Sequence, residues 1–156
     1  MYRWVAISPD GSKIAVADQS HIQIIDVSTG NNIGKPTITP YANDETCYPT
    51  DQFIWSPNGQ FLVSVVEDRP FTKADIYLVS FGGSIKLLNH CMGSILDLAC
   101  SPNSSKVAAI YGDITADEKT LSISCTRTGN LIKTTPFTLA SEQVKIAFTS
   151  DENIFI

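Results

Sequence analysis

Two histidines, His21 and His90, and four cysteines, Cys47, Cys91, Cys100 and Cys125, are the side chains of this sequence that could serve as a base, a thiol nucleophile or a soft metal ligand. His90 and Cys91 adjoin and invite a Cys-His dyad, but neighbours on an extended chain point to opposite sides. His21 opens an alternating apolar segment and reads as a solvated edge residue, because a base needs a partner close by. No CxxC pair occurs, so the spacing of zinc ribbons and redox motifs is absent; Cys100 and Cys125 sit among apolar residues and read as small core side chains. The acidic pairs Glu67-Asp68 and Asp117-Glu118 lack the alternating oxygens of a calcium loop. There is no GxSxG, HExxH or GxxxxGK[ST] motif. Trp4 and Trp55 lie in or beside apolar runs and read as core. No catalytic, cofactor-binding or metal-binding residue is therefore expected, and the chain is not expected to be an enzyme.

The elements around these residues are short. The chain has 156 residues, of which 43% are hydrophobic and only 17% charged, with a net charge of −5. Intrinsic disorder is excluded by that hydrophobic share. Long amphipathic helices, which carry many exposed Glu and Lys, are disfavoured. An acidic chain does not coat DNA or RNA, whose phosphates need clustered Lys and Arg. The start MYRWVAISPDG has no signal-peptide pattern, and no apolar run approaches the roughly 20 residues of a membrane-spanning helix. Cytosol or nucleus is the expected compartment.

Internal repetition dominates. WVAISPDG (Trp4 to Gly11), FIWSPNG (Phe53 to Gly59), LACSPNS (Leu98 to Ser104) and IAFTSDE (Ile146 to Glu152) align, with turns beginning at Ser8, Ser56, Ser101 and Thr149. A second apolar run follows each turn: KIAVA, QFLVSVV, KVAAIY and NIFI. Three copies add a third run (HIQIID, DIYLVS, LSISCT), a polar turn and a fourth short run. Each unit reads as four antiparallel strands, a to d. Pro presets φ in the Ser-Pro-Asp/Asn-Gly turn and Gly takes positive φ at its end. In LSISCT, Leu121, Ile123 and Cys125 face one way and Ser122 and Ser124 the other. Four-stranded units every 45 to 48 residues match β-propeller blades, so the fold class is all-β: three full blades plus strands a and b of a fourth. The chain is expected to be one partial propeller domain over 1–156, with blades near 3–35, 52–88 and 95–134 and a partial blade at 144–156.

These residues resemble the WD-repeat (WD40-type) β-propeller family. VAISPDGSKIAVADQSHIQIIDVSTGN (Val5 to Asn31) is the best match: it has the SPDG turn, Asp18 in the b–c turn, Ile25-Asp26 where the family has Trp-Asp, and a Thr-Gly turn. His90 stands near the Gly-His position of the third unit. The later units depart from the pattern, with Val79-Ser80 and Cys125-Thr126 at the Trp-Asp position, so the buried Asp-His-Ser-Trp network is mostly missing. Peptidase-associated, TolB-like and translation-initiation-factor propellers share the WSPNG-type turn. The resemblance implies a non-catalytic protein–protein interaction scaffold; an accessory propeller of a peptidase-like enzyme and a translation-initiation-factor-like propeller are the alternatives. Fewer than four blades cannot close a ring. An excerpt of a longer chain, one part of an assembly and a closed four-blade variant all fit, the first being favoured because open edges are hazardous.

Charge marks the candidate surface. In a propeller the b–c and d–a loops share one face. They are expected here at Asp18–Ser20, Glu67–Asp75, Gly112–Thr120, Pro36–Gln52, Asn89–Ser94 and Thr135–Gln143, and hold 11 acids against 3 bases, Arg69, Lys73 and Lys119. Asp44, Glu45, Glu67, Asp68, Phe71, Asp117 and Glu118 are the candidate partner-binding residues. The expected partner is a protein or peptide; the acidic face would draw a basic one by complementary charge, and the other, favoured reading is that acidic loops keep a β-rich surface in solution. DNA and membrane are not expected, and no cofactor is implied.

Overall fold

A computed structural model describes residues 4–17, 21–34, 47–68, 71–81, 84–139, 143–150 and 153–156. The described residues form fourteen strands and no helix. The first sheet holds β1 (Trp4–Ile7), β2 (Lys13–Ala17), β3 (Ile22–Asp26) and β4 (Asn32–Gly34). The second holds β5 (Cys47–Trp55), β6 (Phe61–Asp68), β7 (Lys73–Ser80) and β8 (Ile85–Met92). The third holds β9 (Ser94–Cys100), β10 (Lys106–Gly112), β11 (Glu118–Cys125) and β12 (Leu131–Thr138). A hairpin of β13 (Ala147–Phe148) and β14 (Ile154–Phe155) follows. Every sheet is an antiparallel meander in chain order, which gives the three full blades and the a–b start of a fourth that the repeat implies.

The repeated turn explains the registers. Ser8, Ser56 and Ser101 are buried. In each, the hydroxyl donates to the Asp or Asn two residues on (Ser8 Oγ to Asp10 Oδ1, 2.6 Å; Ser56 Oγ to Asn58 Oδ1, 2.8 Å; Ser101 Oγ to Asn103 Oδ1, 2.9 Å). The same oxygen accepts the N–H of the residue that starts the next strand, Lys13, Phe61 or Lys106. Gly11 and Gly59 end their turns at φ of 71° and 67°, and Ser104 takes φ of 61° where the third turn lacks the glycine. Register is thereby fixed at one end of each sheet, and the side chains alternate from that point.

The core lies between sheets. Ala15, Ala17, Ile22 and Ile24 of the first sheet meet Phe53, Leu62, Tyr77 and Val79 of the second. Phe61, Val63, Val65 and Ile76 on the second sheet's other face meet Leu98, Val107 and Ala109 of the third. Ala108 and Ile110 pack against Val144 and Ile146, ahead of the last hairpin. β6 is accordingly buried at six successive positions, Phe61 to Val66. Ser122 and Ser124 are also buried: Asn89 Nδ2 donates to Ser122 Oγ (3.1 Å) and Ser124 Oγ donates to the Leu88 carbonyl (3.3 Å). The polar face of β11 thus faces the second sheet, where its hydroxyls have partners.

Three readings change. Cys125 is not core: it stands at the end of β11, half-buried, while Cys91 is buried. Lys119, counted above among the surface bases, is 1% exposed. Several segments read as loops are strand, including Cys47–Gln52, Asn89–Met92 and Thr135–Thr138, because cross-strand partners extend the sheets past their apolar runs.

Candidate loop-face interaction site

The b–c and d–a connections of the second and third sheets form the candidate site. β6 leads to the loop through Glu67 and Asp68. Asp68 Oδ1 accepts the N–H groups of Thr72 and Lys73 (both 2.8 Å), and Oδ2 accepts the Thr72 hydroxyl (2.8 Å). Partial burial raises the affinity of this carboxyl for its proton, but the donated hydrogen bonds outweigh it and hold Asp68 below the usual carboxylate range. Phe71 stands at φ of 71° and is 54% exposed. An aromatic residue held in the left-handed region and facing water has neither a conformational nor a burial reason to be there.

Two other segments run beside it. Met92 pairs with Lys73 in the β7–β8 ladder, and the Gly93 N–H donates to the Thr72 carbonyl (2.8 Å). Gly93, at φ of 95°, joins β8 to β9 alone; a Cβ there would lie 2.5 Å from the Gly112 carbonyl carbon. This approach brings the β10–β11 loop alongside, with Asp113 and Ile114 at its start. Asp113 accepts the N–H and hydroxyl of Thr115 (2.8 and 2.7 Å), which lower its pKa. Lys119 runs beneath this loop, its Nζ donating to the carbonyls of Asp113 (2.7 Å) and Ala116. The lysine therefore braces the loop from inside rather than presenting a charge to a partner. Met92 is 69% and Ile114 60% exposed, so three adjacent backbone segments each carry an uncovered apolar side chain.

The sequence-derived candidates divide accordingly. Phe71, Asp68, Asp117 and Glu118 lie on this tract, and Asp117 and Glu118 are exposed. Glu67 is half-buried and accepts the Ile95 N–H (2.8 Å), which ties β6 to the third sheet; burial pushes its pKa up, and the Ile95 hydrogen bond and nearby Asp68 act in opposite directions on it. Asp44 and Glu45 lie outside the described residues. Met92 and Ile114 were not singled out by the sequence reading; an isolated isoleucine within the polar stretch Gly112–Thr120 was the available signal for one of them.

The histidine and thiol candidates do not assemble. His90 Nδ1 lies 2.6 Å from Asp75 Oδ1, and Tyr77 donates to Asp75 Oδ2 (3.1 Å). Asp75 is buried whereas His90 is exposed, and Cys91 points into the core on the opposite side of β8. His90 thus engages its own sheet's strand c, not the third unit that the Gly-His position implies. Burial, and then Asp75, push the Cys91 thiol up to about 12; burial does the same to Cys100. Among the described residues no three His, Cys, Asp or Glu side chains are grouped to hold a metal ion.

Stacked four-stranded meanders, each covered by the next, match solved structures over almost the whole chain. The C-terminal WD40 domain of Sif2 superposes at a TM-score of 0.75 with 19% identity, covering 99% of this chain and 42% of that one. The fold is that of a β-propeller. The β-propeller domain of Cps50 (Swd1) from Myceliophteria thermophila gives 0.58 at 17% identity, over 94% of this chain and 46% of that one. Dipeptidyl peptidase 4 of Porphyromonas gingivalis gives 0.63 at 13% identity, over 83% and 25%. No known family and no curated protein matches the sequence. The chain spans less than half the length of these propeller chains, and the described sheets form an open arc. No helix among the described residues is long and apolar enough to cross a membrane.

Proposed function

We propose that this propeller segment is a non-catalytic protein-interaction scaffold, and that its loop face binds a basic segment of a partner with an apolar anchor. The carrying observation is the tract at the junction of the second and third blades. Phe71, Met92 and Ile114 stand exposed on neighbouring backbone segments, among Asp68, Asp113, Asp117 and Glu118. Among the described residues Lys73 is the exposed base there, and Lys119 is turned inward; Arg69 lies outside the described residues. Aromatic and methionine side chains give most binding energy where the surrounding residues exclude water, and carboxylates at the rim steer Lys and Arg. The WD40 likeness supports scaffold work of this kind.

The test is fluorescence anisotropy with a labelled peptide alternating Arg with Leu, beside a control alternating Glu with Leu. The Arg peptide binds and weakens as salt rises, and the Glu control does not bind. The double substitution Asp117→Lys with Glu118→Lys lowers affinity at least about tenfold. Phe71→Gly removes the ring while relieving its backbone conformation, so affinity falls and thermal stability does not. Equal binding of both peptides, or affinity unaltered by all three substitutions, would refute the reading.

The likeness to the Porphyromonas gingivalis peptidase favours one other reading, an accessory propeller of a larger enzyme. An α/β-hydrolase sequence in the same gene would establish it.

A further inference from the structure

A hydroxyl residue with a carboxylate three positions downstream suits a protein kinase whose substrate cleft is lined by Lys and Arg, since the charges are complementary. Five residues of the sequence fit that pattern: Ser64, Thr72, Ser94, Thr115 and Thr149. The fold separates them. Ser64 lies inside β6 and is 1% exposed. The acid that follows Thr72 is Asp75, which is buried and bonded to Tyr77 and His90. The acid that follows Ser94 is Asp97, which accepts the Ile146 N–H and faces Lys145. Thr149 stands where Ser8, Ser56 and Ser101 set the other a–b turns, and its hydroxyl donates to the Asn153 carbonyl (3.4 Å). The acid that follows it, Glu152, lies outside the described residues.

Thr115 differs from the other four. It stands in the β10–β11 connection, residues 113–117, and is exposed together with Asp117 and Glu118. Lys119 is 1% exposed, and its Nζ donates to the Asp113 and Ala116 carbonyls, so the base next in sequence is not presented beside these acids. The Thr115 hydroxyl and N–H both donate to Asp113 Oδ1 (2.7 and 2.8 Å). Those bonds close the turn that carries Ile114, and they hold the Asp113 carboxyl below its usual range. A turn held by so few bonds at a loop tip opens readily enough to enter a cleft.

We propose that Thr115 is a phosphorylation site for an acid-directed protein kinase, and that the phosphate releases the turn Thr115 now makes with Asp113. In the transfer, Thr115 Oγ1 forms a bond to the γ-phosphorus of Mg-ATP. The bond from that phosphorus to the β–γ bridging oxygen breaks, ADP leaves, and the hydroxyl proton passes to the kinase's catalytic carboxylate. The product has no O–H for Asp113 to accept. It also sets a charge of about −2 beside that carboxylate, and like charges repel. Ile114 lies between the two residues and moves with the opened turn. Phosphate thereby alters the apolar and charged character of the loop face together.

The full chain is incubated with Mg-ATP and a Ser/Thr kinase selective for acidic acceptors, with a synthetic Glu-rich acceptor peptide in the same tube as the reaction control. Tandem mass spectrometry locates the phosphate. It is expected on Thr115, absent in Thr115→Ala and retained in Thr115→Ser. Asp117→Asn with Glu118→Gln slows incorporation at least about tenfold. Far-ultraviolet circular dichroism of each variant must keep the β spectrum; the single change Glu118→Gln replaces the double one if it does not. In the modified chain, amide exchange across residues 113–117 quickens at least about threefold. A labelled control peptide with no phosphate on Thr115 overturns the proposal, as does phosphate on Ser94 or Thr149 in its place. An incorporation rate indifferent to the two carboxylates overturns the acid-directed assignment. Loop exchange unaltered by the phosphate overturns the release of the turn. Because acceptance is read by mass, it is decided separately from whether the loop face binds a basic partner.

Discussion

A single buried hydroxyl sets the a–b turn of each of the three full blades. Ser56 Oγ donates to Asn58 and accepts from the N–H groups of Gln60 and Phe61 (both 3.1 Å). The residue is 0% exposed, so no water replaces it. Ser56→Ala should therefore strand the Phe61 N–H and destabilise the chain by about 1–3 kcal/mol, read as a lower urea midpoint with an unchanged slope. A change below about 0.5 kcal/mol would show that the turn backbone alone fixes the register. Residues of this kind were legible in the sequence because the device is local: serine, Asx and glycine lie within four positions. Asp75, His90 and Tyr77 were not, because their hydrogen bonds cross from β7 to β8 and depend on pairing register. Cys125 was misread for a related reason. It occupies the place of Asp26, where hydrogen bonding from the turn, chiefly from Thr128, lowers its thiol pKa much as Ser28 and Thr29 lower that of Asp26.

At the scale of elements, carboxylates on strands β6 and β9 join one blade to the next. Glu67 accepts the Ile95 N–H, and Asp97 accepts the Ile146 N–H (2.8 Å) with Lys145 at 3.3 Å. Glu67 has the stability cost of a desolvated charge. Its pKa is raised in the folded chain, so above pH 4.5 the folded state holds more protons than the unfolded one, and stability falls as pH climbs through the folded value. Glu67→Gln keeps an oxygen for the Ile95 N–H and has no charge to desolvate. The variant should gain on the wild type as pH rises from 4.5 through the folded Glu67 value and hold that gain at neutral pH, measured by urea unfolding at a series of pH values. A constant difference across the series would mean that Glu67 is solvated. Strand existence and order were readable from apolar periodicity. Strand length was not: β8 and β12 continue through polar residues because a neighbouring strand supplies hydrogen-bond partners, which no local pattern records. The same blindness applies to the loop site, where Phe71 and the acids could be picked from sequence but their alignment with Met92 and Ile114 depends on the Gly93–Gly112 approach.

For the whole molecule, stability in a repeat arc is close to a sum of blade terms and junction terms, and it is greatest where a blade has both neighbours. The second blade has apolar cores on both faces, with Val63, Val65 and Leu62 fully buried. The first packs on a described neighbouring blade through one face, and β13–β14 is a hairpin of two residue pairs. Hydrogen exchange by mass spectrometry should rank the amides accordingly. Peptides from Leu62–Val66 and Ile76–Val79 exchange slowest, those from β10 next, those from β1 and β2 faster, and those from β13–β14 fastest, because local opening there exposes little apolar surface. Equal protection along the chain would mean that the arc opens as one cooperative unit.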